Sequence, residues 1–364
     1  MPTDHDQLVD AITTIVPTLL TTLEAFEQVQ RNMHPDRYGQ LTEAIAPFAL
    51  DLGDAARTFA ALKFPDELEP LRSSIANSAE YSLRACDGVS RHAEGFGPVM
   101  KAMRAHCRAQ EIIYSLAGVM NPVSQYFLEV EARENRLLID ALSKGSSRQE
   151  VGLMSARNER DTRGGFSLYI PENLATDKPA SLVVALHGGS GHGADFLWSW
   201  VREARTRGFI VMAPTSQQDT WSLMGEEHDE APLRSMVDHV KSIWPIDEDH
   251  ILVGGMSDGA TYSLIAGLKA DSPFTHIAPF SGVLHTQLAM DGSLEFAAGK
   301  PIYLVHGTLD WMFPVESAAM AKAELEAAGA RLTYREIEGL SHTYARAEHP
   351  SLIQWFNPEL NVPS

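Results

Sequence analysis

In the first 145 residues, apolar side chains recur three and four apart. Leu8, Ile12, Ile15, Leu19, Leu23 and Phe26 form one stripe, and Leu41, Ile45, Phe48, Leu52, Ala55, Phe59 and Leu62 form a second. Three more run through Leu68–Leu83, Val99–Ile113 and Val123–Ala141. This spacing predicts about five amphipathic helices. Their expected breaks are Asn32 to Gly39, Phe64-Pro65, Gly95-Phe96-Gly97-Pro98 and Asn121-Pro122, each holding a residue that stops or starts a helix. With no strand-like alternation, this half reads as a helical bundle.

The pattern changes near residue 145. Ser143-Lys144-Gly145-Ser146-Ser147 is the expected linker, dividing a helical domain (1–145) from a second domain (146–364). Beyond it lie short β-rich runs: Phe166–Ile170, Leu182–Leu186, Phe209–Met212, Ile251–Gly254, Ile277–Phe280, Ile302–Val305 and Leu332–Ile337. Helical stretches are expected between them around 195–207, 231–243, 258–270 and 315–328. Strands alternating with helices predict an α/β domain, a mostly parallel doubly wound sheet covered on both faces.

Composition narrows the function. The 364 residues carry 29 Lys and Arg against 48 Asp and Glu, a formal charge of −19. Such a surface repels phosphate backbones and anionic lipid, so neither nucleic acid nor a membrane is an expected partner. Cys86 and Cys107 are the only cysteines, and neither a CxxC nor a His at ligand spacing accompanies them, so no disulfide scaffold or metal site is expected. The first residues, Met-Pro-Thr-Asp-His-Asp, lack the basic start of a secretion signal, which makes the cytoplasm the expected location.

Ligand sites in open parallel sheets lie beyond the carboxyl ends of the strands. After Ile251-Leu252-Val253 the chain reads Gly255-Met256-Ser257-Asp258-Gly259 and then enters a helix. Gly-x-Ser-x-Gly at a strand-to-helix turn is the pattern of a nucleophile elbow, in which a strained serine is presented above the sheet. By chance the five residues recur in roughly one chain in ten of this length, so the flanking strand and helix carry much of the inference. The competing reading of Ser257 is an ordinary helix N-cap. A serine nucleophile needs a base and an orienting acid, which in such sheets follow in the order Ser, Asp or Glu, His. Asp310 follows the run Ile302–Val305, and His342 follows Leu332–Ile337. Asp291 is the rival acid, in a turn-like Met-Asp-Gly-Ser, and His306, His349 and His285 are rival bases.

With these residues in place, 165–356 resembles the α/β-hydrolase superfamily, in its carboxylesterase/phospholipase and polyhydroxyalkanoate-depolymerase-like branch. The shared pieces are Leu186-His187-Gly188-Gly189, Gly255-Met256-Ser257-Asp258-Gly259, Val305-His306-Gly307-Thr308-Leu309-Asp310 and Gly339-Leu340-Ser341-His342. Phe313-Pro314 stands where the branch has Val-Pro. The resemblance implies a cofactor-free, metal-free serine esterase with Ser257, Asp310 and His342 as its triad. One oxyanion-hole donor is expected from the amide of Asp258, the residue after the nucleophile. By resemblance the other is Gly189, with Gly188 or Ser190 as alternatives, and His187 is a scaffold residue.

The expected substrate is a small ester with an apolar or aromatic part, held by Trp198, Trp221, Trp311 and Met256. A peptidase or thioesterase would use the same triad, and a non-catalytic relative would be a binding module. Gly189-Ser190-Gly191-His192-Gly193-Ala194 also fits a dinucleotide fingerprint, but Phe209–Met212 ends in Ala213-Pro214 rather than in the acid such a site wants. The helical half is expected either to cover the site or to form a homo-oligomer contact.

Overall fold

The computed structural model describes residues 4–145, 150–175 and 178–363. The chain divides into two compact units, Met1–Ser143 and Lys144–Ser364. Ser146 and Ser147 of the expected linker lie outside the described residues.

The first unit is built from α1 (Asp4–Arg31), α2 (Tyr38–Ala60), α3 (Glu69–Ser90), α4 (Phe96–Tyr114), α5 (Asn121–Tyr126) and α6 (Arg136–Lys144). The helical stripes face inward: Phe26, Val29, Leu41, Ile45, Val89 and Val99 are buried in one apolar cluster. By length and composition α1 also passes as a membrane span from His5 to Arg31. Here it buries Ile15, Leu19, Leu23 and Phe26 and leaves Thr13, Thr14 and Thr18 bonding their own backbone on other faces. The expected fifth helix is split in two. Phe127 and Leu128 turn into the core after α5, and the Asn135 side chain accepts the Leu138 amide to cap a new helix, α6.

The second unit is an eight-stranded sheet: β1 (Gly152–Ala156), β2 (Phe166–Ile170), β3 (Ala180–Leu186), β4 (Ile210–Pro214), β5 (Ile246–Met256), β6 (His276–Phe280), β7 (Pro301–Gly307) and β8 (Arg331–Ile337). The order is β1-β2-β4-β3-β5-β6-β7-β8. β1 and β2 pair antiparallel, as do β2 and β4, and every pairing from β4 through β8 is parallel. Its helices are α7 (Gly193–Phe196), α8 (Val201–Arg207), α9 (Glu230–Ile243), α10 (Asp258–Gly267), α11 (Thr286–Met290), α12 (Val315–Ala327) and α13 (His349–Phe356). Seven strands fall on the expected runs; every residue of β2, β3 and β4 is buried, whereas the edge strand β8 is partly exposed along its whole length. β1 had no such signal. It is a half-buried edge strand. The parallel register brings the ends of β3, β5, β7 and β8 to one edge, where Gly188, Ser257, Asp310 and His342 follow them.

Candidate active site

Ser257 lies between β5 and α10 with φ 56° and ψ −118°, a conformation that costs a non-glycine residue roughly 1–3 kcal/mol. Its surroundings hold it there. The Ser257 amide donates to the Phe280 carbonyl at 3.0 Å, and its own carbonyl accepts the Thr261 amide at 3.0 Å. A Cβ on Gly255 would sit 2.6 Å from the Leu186 carbonyl oxygen, and one on Gly259 2.4 Å from the oxygens of both Leu186 and His187. Only glycine lets β5 and α10 approach β3 this closely.

Three side chains are joined at this point. His342 Nε2 lies 3.0 Å from Ser257 Oγ, and His342 Nδ1 lies 2.8 Å and 3.0 Å from the two carboxylate oxygens of Asp310. Because a carboxylate only accepts, Nδ1 carries the proton and Nε2 is left to accept from the serine hydroxyl. The Asp310 side chain is fully buried and that of His342 is 7% exposed. Burial alone would raise the Asp310 carboxyl, but hydrogen bonds from His342 and the Phe313 amide hold it below its ordinary value. The Met312 amide is a further donor, at 3.0 Å.

The rival residues are bonded to other groups, although His306 also lies 3.5 Å from Asp310 Oδ2. His306 Nε2 donates to the Phe313 carbonyl at 2.8 Å, while His349 bonds the Tyr344 hydroxyl and stacks on Trp200. His285 accepts the Gln287 amide at the start of α11. Asp291 accepts the Ser293 amide in its turn.

The loop after β3 supplies the remaining donors. The Ser190 amide is spent on the Asp219 carbonyl at 2.8 Å, the Gly191 amide on Gly188 and the Gly193 amide on Thr215 Oγ1. Among the described residues no acceptor within the protein is found for the amides of Gly188, Gly189 and Asp258. Ser190 is thereby removed from the alternatives. A Cβ on Gly188 would lie 3.5 Å from Ser257 Cβ, so this loop borders the serine directly. With the other amides turned inward, the same loop has little to offer a dinucleotide pyrophosphate.

His187 anchors the loop. Its Nε2 accepts the Ser216 amide at 3.1 Å, which leaves the proton on Nδ1 to donate to the Gly188 carbonyl at 2.7 Å. Burial, with the nearby Arg163 and His192 charges, pushes its pKa down to about 3; burial and the His250 charge push His276 to about 4. Unfolded, both imidazoles take a proton near pH 6.5. The stability these neutral rings contribute is therefore complete above that pH and is lost as pH falls toward their folded values. Urea unfolding is expected to show a loss of about 2 kcal/mol between pH 6.5 and 4.5 from His187, with a smaller share from the less buried His276 that a His276→Phe variant removes. Equal stability at both pH values would contradict the buried neutral rings.

Residues 231–357 match the family model described as phospholipase/carboxylesterase, a stretch that contains Ser257, Asp310 and His342. The C-terminal unit has the α/β-hydrolase fold. A fluorophosphonate-binding serine hydrolase of Staphylococcus aureus is 16% identical over 58% of this chain and 98% of its own, with a TM-score of 0.47. An S-formylglutathione hydrolase of the same organism is 16% identical over 58% and 99%, at 0.47. The acetyl xylan esterase of Aspergillus awamori is 18% identical over 56% and 98%, at 0.46. No curated protein matches the chain in sequence.

Within the hydrolase fold, two of the expected substrate contacts are corrected. Trp198 and Trp221 are each 3% exposed and offer no wall to a ligand. Trp221 is a strut: its indole N–H donates to the His187 carbonyl at 2.7 Å, and its ring stacks on Tyr262. Trp311 is 46% exposed with its ring 6.5 Å from that of His342, and Met256 beside the serine is half-buried. Three residues beyond the reach of sequence reasoning brace the candidate site. The Arg163 guanidinium donates to the Gly191 and Ser216 carbonyls. Asp229 accepts the Gln217 and Ser222 amides, fixing the 217–222 segment. Thr220 on that segment donates to Asp258. No spacing signal marks them, because each acts on a residue distant in the chain or across a loop.

Proposed function

We propose that the C-terminal unit is a serine carboxylic-ester hydrolase acting on an apolar or aromatic ester. Ser257 Oγ attacks the ester carbonyl while its proton passes to His342 Nε2, and Asp310 holds the imidazole in the required tautomer and offsets its positive charge. The oxyanion is held by the amides of Asp258 and Gly189, each such donor being worth about 3 kcal/mol. Collapse of the tetrahedral intermediate breaks the bond to the alcohol, which takes the proton from His342. Water, deprotonated by the same nitrogen, then attacks the acyl-enzyme and releases the acid.

The observation that carries this reading is the unbroken chain of hydrogen-bonding distances from Ser257 Oγ through His342 to the buried Asp310 carboxylate. Partly exposed Trp311 and Phe313, with ring centres 6.5 Å and 5.4 Å from that of His342, support an apolar or aromatic substrate. A p-nitrophenyl ester series of increasing acyl length tests it. A burst of about one p-nitrophenol per chain followed by steady turnover is expected; release without turnover above the buffer rate for every ester would refute the proposal.

A further inference from the structure

Asp258 places a carboxylate at the lip of the same site. Its amide is one of the proposed oxyanion donors, and its side chain folds over the loop that holds the other. A Cβ added to Gly189 would lie 2.7 Å from Asp258 Oδ2. Asp258 is half-buried and Gly189 beside its carboxylate is exposed, so the charge stands next to the loop that borders the serine. Its side-chain partner is a neutral one: Thr220 Oγ1 donates to Oδ2 at 2.5 Å. Among the described residues no Lys, Arg or His forms an ion pair with it. Arg163, which reaches the same loop, spends its guanidinium on Gly191 and Ser216.

This arrangement is costly for the chemistry unless the substrate answers it. Negative charge develops on the carbonyl oxygen during attack, and a fixed carboxylate beside the hole opposes it in a site partly withdrawn from water. A positive group on the substrate removes the opposition and gains a partner; a negative group adds a second repulsion. The carboxylate cannot swing away freely, since Thr220 sits on the segment that Asp229 fixes through Gln217 and Ser222.

We infer that Asp258 sets the charge of the substrate: the site takes esters that carry a cationic group close to the scissile carbonyl and turns away those that carry a carboxylate or phosphate there. The inference rests on the serine-hydrolase reading and deepens it. Asp258 is a specificity-determining residue through its side chain, separately from the part its amide plays.

The test uses the full chain and three p-nitrophenyl esters of similar length: hexanoate, glutarate and 5-trimethylammoniovalerate. Each kcat/KM is divided by that for hexanoate with the same protein, so a general loss of activity in a variant cancels. The cationic ester is expected to exceed the anionic one by at least about tenfold at low ionic strength, a ratio that shrinks with added salt. Asp258→Asn should bring the two to within roughly threefold of each other. A wild-type protein that hydrolyses the glutarate ester as well as the cationic one, or an Asp258→Asn protein that keeps the ratio, overturns the inference. Competitive inhibition of the wild type gives a reading independent of any variant: pentyltrimethylammonium should bind more tightly than the hexanoate ion, and the reverse order is equally fatal. Turnover without discrimination by charge sinks only the role of Asp258, whereas absence of turnover on all three esters sinks the hydrolase reading itself.

Discussion

Replacing Ser257 by alanine is expected to lower kcat for p-nitrophenyl ester hydrolysis by about 10⁴-fold or more, with the thermal unfolding midpoint nearly unchanged. The hydroxyl is the atom that forms the acyl bond, so no neighbouring group substitutes for it. Its structural share is small. The serine is 8% exposed and its Oγ has one partner in the triad, His342 Nε2 at 3.0 Å. Losing that hydrogen bond costs about 1 kcal/mol. Alanine meets the same backbone strain at φ 56° as serine does, so the elbow neither gains nor loses on that score. Steady-state kinetics and a melting curve on the same preparation decide it: retained turnover, or lost turnover together with collapse of the fold, would remove Ser257 from the role of nucleophile.

Asp310→Asn is the second large effect, a loss of about 10³–10⁴-fold in kcat. The two backbone donors at Met312 and Phe313 can still find the amide oxygen of asparagine, so the loop is expected to persist. What changes is the partner of His342. An amide NH₂ facing Nδ1 favours the tautomer with its proton on Nε2, which then cannot accept from Ser257. The variant should also be less stable at neutral pH. Because hydrogen bonds hold the Asp310 carboxyl below its unfolded value, its charge stabilises the fold above that unfolded value, near pH 4, and the contribution is lost as pH falls through the lower folded one. Wild type and variant should therefore converge in stability at acid pH. An asparagine protein with activity within tenfold of wild type would mean that another group orients His342.

Much of the catalytic unit is legible in the chain because a buried parallel sheet needs continuous apolar runs, and the turn after each run then marks the edge where ligands bind. Ser257 and Asp310 each stand just after such a run, and His342 follows the β-rich but only partly buried stretch Leu332–Ile337. The glycines flanking the serine are legible for a steric reason, the close approach of Leu186 and His187 carbonyls. Aromatic content is a weaker guide. Trp198 and Trp221 lie in the same loops as exposed residues but are buried by packing that no local pattern encodes, whereas Trp311 next to the acid stays at the surface. The choice among Gly188, Gly189 and Ser190 depends on the carbonyl of Asp219, far away in sequence, which occupies the Ser190 amide. Edge strand β1 and the interruption between α5 and α6 escaped for the converse reason. Partial burial in one and an asparagine cap in the other produce no distinctive periodicity.

If the serine of the β5–α10 elbow carries the acyl group, the mass of the species formed in the burst reveals it. The full chain is mixed with an excess of p-nitrophenyl ester, quenched in acid within the burst phase, and mapped by peptide mass spectrometry. One acyl group per chain is expected, on the peptide that contains Gly255-Met256-Ser257-Asp258-Gly259, and it should be absent from the Ser257→Ala protein. An acyl group on any other residue, or a full burst from the alanine variant, would contradict the assignment.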